Sequence, residues 1–213
     1  MKIDHAALPF VLMATAPAAG LWWLWGPVVG ASALVLPVAI GLFFRDPDRT
    51  CSQDPSLVLS PADGTVMYAG PALDEDAPIP APADGPWQQI TIFLSLFDVH
   101  INRTPVSGQI TQVRYERGTF LPAYKAESSR NERSEIWFDH QGTTIVARQV
   151  VGILARRVVC RLAVGQQVDA GAHLGLMKFG SRMDVFVPST ATLIVAPAQK
   201  VRAGEAILAR LSA

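Results

Sequence analysis

The chain has 213 residues, 18 acidic and 18 basic side chains, and a composition that is half apolar. That length suits one domain of ordinary size with an appendage. With no net field to attract nucleic acid, and with only two isolated cysteines (Cys51 and Cys160) in no metal-type spacing, neither a nucleic-acid partner nor a bound metal is expected. The cysteines read as free thiols in a reducing compartment.

Residues 6–44 contain no charged side chain. The apolar core of a signal peptide is roughly 7–15 residues, and one bilayer crossing takes about 20. The run therefore predicts two short crossings, about residues 8–24 and 28–44, turned at Trp25-Gly26-Pro27 with Trp22, Trp23 and Trp25 near the interface. A single tilted helix or a re-entrant hairpin is the alternative. Lys2 precedes the run and Arg45 and Arg49 follow it, so both ends are expected on the cytoplasmic face of the cell membrane. The chain then divides into an anchoring hairpin, residues 1–45, and a domain of residues 46–213.

Residues 45–57 read as a polar linker, and residues 58–66 as strand, turn and strand about Asp63-Gly64. Residues 74–86 are acidic and proline-rich, which predicts a surface loop. Residues 89–97 form an uncharged, β-branched run, a buried strand that delivers Asp98 to Pro105 and sets His100 on the face opposite Val99 and Ile101. The charged stretch 125–133 reads as a flexible surface loop, after which strands resume over residues 135–161 with a hairpin at Gly142. Residues 168–174 echo residues 201–207, and residues 61–66 echo 105–110, each a strand–Gly-turn–strand unit. The whole predicts a mainly β fold, a compact β-sandwich or hybrid barrel behind an apolar helical hairpin.

Three residues carry the chemistry: Asp63 and His100, each after a strand, and Ser181 after Gly180. Gly180 permits close backbone approach, and the Ser181 hydroxyl can reach its own preceding carbonyl. Serine, histidine and aspartate together are the usual means of activating a hydroxyl. Ser181 lacks the Gly-x-Ser-x-Gly elbow, which argues against an ordinary serine esterase.

Four stretches, Ser60-Pro61-Ala62-Asp63-Gly64, Phe97 to Pro105, Asn131-Glu132-Arg133 and Phe179-Gly180-Ser181-Arg182-Met183-Asp184, occur in the order in which they stand in the phosphatidylserine decarboxylase family. The chain resembles its short bacterial and archaeal (archaetidylserine decarboxylase-like) form. The resemblance implies a self-processing precursor. Ser181 attacks the Gly180 carbonyl, the ester eliminates, and a pyruvoyl group made from Ser181 heads a 33-residue α chain, leaving a 180-residue β chain. That covalent pyruvoyl cofactor would form a Schiff base with phosphatidylserine, a phospholipid of the bilayer, and release carbon dioxide to give phosphatidylethanolamine. Enzymes of this kind often associate, so a homo-oligomer is also implied. Larger relatives carry two histidines three apart, whereas here Arg103 stands in place of the second. His100 would serve processing, decarboxylation or both, with Asp63 as the acidic member. The rival reading is a biotinyl- or lipoyl-type carrier modified at Lys178, which follows Met177.

Overall fold

The structure is a computed structural model that describes residues 2–73, 76–83, 85–123, 128, 130–153, 158–178 and 181–212. The chain divides into two compact units, Met1–Asp48 and Arg49–Ala213.

In the first unit β1 (Lys2–Ile3) leads through a 3₁₀ turn to α1 (Leu8–Trp25), α2 (Pro27–Ala33), α3 (Val35–Phe43) and β2 (Arg45–Asp46). The Asp4 carboxylate caps the 3₁₀ turn, accepting from the Ala6 N–H at 2.9 Å. Gly26, at φ 86°, ends α1, and Pro27 opens α2 at the position where a missing N–H costs nothing. A side chain at Gly30 would collide with Trp22, so the two arms pack tightly there. Strands β1 and β2 pair antiparallel, which closes the hairpin and brings its two ends together. The second arm is two helices where the sequence predicts one. Pro37 cannot bond to the carbonyl of Ala33 four residues back, and α2 stops at that residue. Among the described residues, His5–Trp25 is the one helical stretch long and apolar enough to cross a bilayer.

The second unit is built of strands: β3 (Leu57–Leu59), β4 (Gly64–Pro71), β5 (Trp87–Leu94), β6 (Ile101–Arg103), β7 (Gly108–Glu116), β8 (Arg133–His140), β9 (Thr143–Val150), β10 (Val158–Cys160), β11 (Gln167–Val168), β12 (His173–Met177), β13 (Ser181–Pro188), β14 (Thr192–Leu193), β15 (Lys200–Val201) and β16 (Ile207–Arg210). Eight form one curled half-barrel sheet in the order β11-β7-β8-β9-β13-β5-β4-β15, and two three-stranded sheets, β10-β12-β6 and β14-β16-β3, complete the unit. Bulges at Val66/Tyr68 and Ile110/Gln112 bend the large sheet. Its inner face carries Ile90, Ile92 and Leu94 from β5, Met183, Val185 and Val187 from β13, Ile145 and Ala147 from β9, and Ile136 and Phe138 from β8, all buried in one cluster.

The 33-residue echo has a structural counterpart. Gly171 (φ 81°) and Gly204 (φ 76°) occupy like turns, and a Cβ on either would strike the Cys51 sulfur. The Gly171 N–H donates to the Thr104 carbonyl at 2.9 Å, as the Gly204 N–H donates to that of Ser60 at 2.8 Å. Gly171→Ala is expected to lower unfolding stability by about 2 kcal/mol or more. In denaturant titrations, adding Cys51→Gly, which removes both the Sγ and the Cβ that the new methyl would strike, should restore the steric part and leave about 1–2 kcal/mol for the positive φ.

Candidate active site

One rung of the large sheet runs Glu116, Arg133, Val150, Arg182, Phe93, Thr65 across six strands. At this end β7, β9 and β5 finish while β8, β13 and β4 begin. The chain therefore leaves β5, β7 and β9, and enters β4, β8 and β13, at the same edge. The three candidate residues come from different parts of the chain, and this topology delivers all three to that edge.

Ser181 is the first residue of β13, opposite Leu94 of β5 and on the inner face with Met183 and Val185. It is wholly buried, and its Oγ has no hydrogen-bond partner among the described residues. Gly180, the other half of the proposed cleavage site, lies outside the described residues. Ser181 also marks a change of sheet: β12 belongs with β10 and β6, whereas β13 joins β5 and β9.

His100 is buried, and its Nδ1 lies 2.9 Å from the Asp98 carbonyl oxygen. A carbonyl only accepts, so Nδ1 carries the proton and Nε2 is the basic nitrogen of the neutral ring. The His100 carbonyl accepts from the Met177 N–H at 3.2 Å, which sets the residue beside the segment leading to Ser181. Strand β5 ends at Leu94 and does not run on to Phe97 as the sequence predicts. The Asp98 carboxylate draws the chain into a turn by accepting from the Ser95 N–H and hydroxyl, at 2.8 and 2.6 Å.

Asp63 arrives at the same edge, since continuing the β4–β5 register puts Gly64 beside Leu94. Its Oδ2 pairs with Arg49 at 2.8 Å, and its Oδ1 accepts from the Ala203 N–H at 2.8 Å. Arg49 also reaches Glu205 at 3.2 Å. The carboxylate thus ties the strand–turn–strand to the 203–206 turn.

Two amides sit on the inner side of the same end. Buried Gln149 of β9 donates through Nε2 to Oδ1 of buried Asn102 at 2.8 Å. The remaining polar atoms of both, Asn102 Nδ2 and Gln149 Oε1, have no partner among the described residues. Together with the Ser181 hydroxyl they leave donors and acceptors available for a polar guest. Asn102 stands in a stretch singled out above, but Gln149 sits in an apolar run and shows no local signal in the sequence.

On the outer face of the sheet the register alternates charge: Arg114, Glu135, Arg148, Asp184, then Thr91. Arg148 donates to Glu135 at 2.8 and 2.9 Å and stacks 4.6 Å from the Phe186 ring centre. Arg182, next to Ser181, is held at 2.7 Å by both Asp184 and Asp76 and donates to the Ser128 hydroxyl at 3.1 Å. Burial disfavours its charge, but the Asp184 and Asp76 carboxylates outweigh that and raise its pKa above the ordinary guanidinium range. Asp76 and Ser128 are buried, so neither of the two predicted surface loops is wholly at the surface. Trp87 pins the first loop by donating to the Pro78 carbonyl at 2.9 Å. Lys125 and its neighbours through Glu127 lie outside the described residues.

A buried hydroxyl and imidazole at the head of a central strand, with amides alongside, is the equipment of an enzyme. Lys178 does not sit where a carrier's lysine would, because β12 and β13 are not paired and make no hairpin tip. Comparison with known proteins agrees. The family model described as phosphatidylserine decarboxylase matches residues 38–209. The phosphatidylserine decarboxylase proenzyme of Solibacter usitatus is 38% identical over 99% of this chain and 97% of its own length. That of Paramagnetospirillum magneticum is 41% identical over 98% and 87%, and that of Chlorobium chlorochromatii 41% over 79% and 77%. The chain belongs to the phosphatidylserine decarboxylase family.

Removing Asp76 leaves Arg182 and Arg148 buried and under-compensated. Asp76→Ala is expected to cost about 3–5 kcal/mol of stability, read from thermal or denaturant unfolding, and Asp76→Asn less.

Proposed function

We propose that this chain is a precursor that cuts itself between Gly180 and Ser181 and then decarboxylates phosphatidylserine to phosphatidylethanolamine. The observation that carries the reading is the buried, unpartnered Ser181 hydroxyl at the point where the chain changes sheets.

In processing, His100 takes the Ser181 proton at Nε2 as Oγ adds to the Gly180 carbonyl. The C–N bond breaks and an ester replaces the peptide. Removal of the Ser181 α-proton then expels the Gly180 carboxylate and leaves dehydroalanine, which takes up water and loses ammonia. The residues fit the resulting pyruvoyl group, since it occupies the place of a side chain already enclosed at this end. When formed, it supplies a carbonyl for the serine amine and an electron sink for the carbon dioxide lost.

The other residues orient and protonate. In this reading His100 returns a proton to the substrate carbon after decarboxylation, and Asn102 and Gln149 hold polar atoms of the headgroup. Asp63, with Arg49, is the acidic member. It braces the turns around this end, and its support of His100 runs through that positioning.

Cleavage need not loosen the fold. Strand β13 keeps eight paired residues with β5 and five with β9, which would hold the α and β chains together without a covalent link. Pairing of β1 with β2 returns both ends of the apolar hairpin to one side, and Lys2, Arg45 and Arg49 favour the cytoplasmic face for that side.

Intact mass of the purified protein tests the reading. Two chains are expected, split after Gly180, the smaller lacking the amine of a seryl N-terminus. Ser181→Ala should remain one chain with no activity. His100→Gln should slow processing by on the order of 10²–10⁴-fold. Asp63→Asn should slow it less while also lowering the unfolding midpoint. A wild-type chain that stays whole and unmodified would overturn self-processing.

A further inference from the structure

We infer that Asp98 is the positioning residue for His100, its carboxylate and its carbonyl together fixing which nitrogen of the imidazole is the base. Strand β5 ends at Leu94 and β6 begins at Ile101, so the residues that carry the histidine lie between strands. Three hydrogen bonds close the Ser95–Asp98 turn there. The Asp98 N–H donates to the Ser95 carbonyl at 3.1 Å, and Asp98 Oδ2 accepts from the Ser95 N–H and hydroxyl at 2.8 and 2.6 Å. The carboxylate reaches back to a backbone N–H three residues earlier, as the acid of a helix capping box does. The next link runs forward: the Asp98 carbonyl, two residues before His100, meets Nδ1 at 2.9 Å.

Which nitrogen of a neutral imidazole carries the proton is decided by the hydrogen bonds that the ring makes. Here the acceptor at Nδ1 is the Asp98 carbonyl, and the place of that carbonyl depends on the turn. With the turn loosened, the peptide between Asp98 and Val99 can rotate its oxygen away from Nδ1, and the proton can move to Nε2. A ring in that form has no lone pair at Nε2 for the Ser181 proton. Asp63, the acid that the sequence offers for orienting the histidine, has its two oxygens engaged by Arg49 and by the Ala203 N–H, each at 2.8 Å. Val99 is buried, and the His100 carbonyl accepts from the Met177 N–H at 3.2 Å. Those contacts act on the backbone around residue 100, whereas the Asp98 carbonyl acts on the ring. The effect of Asp98 on the reaction therefore runs through His100, and in chemical purpose the inference rests on the self-processing reading above.

The test reads the tautomer in the full chain carrying Ser181→Ala, which cannot process, so that every variant is the same precursor in detergent micelles. Long-range proton–nitrogen correlation spectra of the imidazoles are recorded at a pH where the ring is neutral, and His100→Gln identifies its signals among the four histidines. The expected result at His100 is a protonated Nδ1 and an unprotonated Nε2. Asp98→Ala should move the proton to Nε2 or average the two forms. Asp98→Asn, whose amide oxygen can still accept from Ser95, should keep it on Nδ1. A proton that stays on Nδ1 in Asp98→Ala would overturn the inference, as would one found on Nε2 in the parent chain. If Asp98→Ala does not accumulate as folded protein, Ser95→Ala, which removes only the bond of the hydroxyl, carries the same prediction with a smaller shift. This readout needs no cleavage, so it is separable from failure of the self-processing reading. Where cleavage is seen, Asp98→Ala should slow it about tenfold or more in the chain that keeps Ser181, and should add nothing in a His100→Gln background. Equal slowing in both backgrounds would mean damage to the site at large and refute the role.

Discussion

Strand β13 is hydrogen-bonded along both edges, and most of the second unit depends on that placement. A strand so held cannot slip by one residue without turning its inner face outward. Its odd-numbered residues, Ser181, Met183, Val185 and Val187, face the core, and Arg182 and Asp184 face the opposite layer. A hydroxyl that would be an ordinary solvated serine at a loose strand end is thereby carried into a dry interior.

The opposite layer is the less usual one. A half-barrel sheet can leave one face to water, but here the outer face is covered by the loop that carries Asp76 and by the segment that carries Ser128. The groups beneath are ionised and paired: Arg182 between Asp184 and Asp76, and Arg148 against Glu135. Such pairs add little net stability over apolar residues of the same shape, yet are costly to break one partner at a time. Their effect is on specificity of position. Each covering loop docks in the one place where its polar group meets Arg182, so the residue after Ser181 is clamped from three directions.

Much of this can be read from the chain itself. The uncharged run at β5 announces a buried strand, Gly142 announces the hairpin of β8 and β9, and the echo about Gly171 and Gly204 anticipates two like turns, which the structure packs on Cys51. The unread parts share one cause, which is that local pattern does not say what lies across a strand. Arg182 and Asp184 alternate with apolar residues as they would on a wet face, and only the arrival of Asp76, more than a hundred positions away, makes them interior. Leu96 and Phe97 prolong the apolar run of β5, so composition carries the strand too far, whereas the Ser95–Asp98 turn is set by side-chain hydrogen bonds. Pro37 is visible, but whether it kinks or divides a helix depends on neighbours that the sequence does not name. Of the site, Ser181 and His100 are legible as chemistry. Gln149 is not, because a lone amide in an apolar strand gains meaning only from the Asn102 it meets.

The buried Ser181 hydroxyl also bears on why a precursor of this kind would react. An unsatisfied buried polar group raises the free energy of the folded state by about 1–3 kcal/mol. Oγ is such a group among the described residues, and the fold tolerates it because β13 is held on both sides. On the proposed pathway that hydroxyl is consumed, so the penalty belongs to the precursor and not to the product. The proposed cut lies at the very start of β13, and the pairs from Arg182 to Pro188 with β5 and from Arg182 to Phe186 with β9 all lie on its C-terminal side. On that pathway the unsatisfied hydroxyl is confined to the precursor while the pairing of β13 is kept in the product, and both would favour the cleaved, two-chain form.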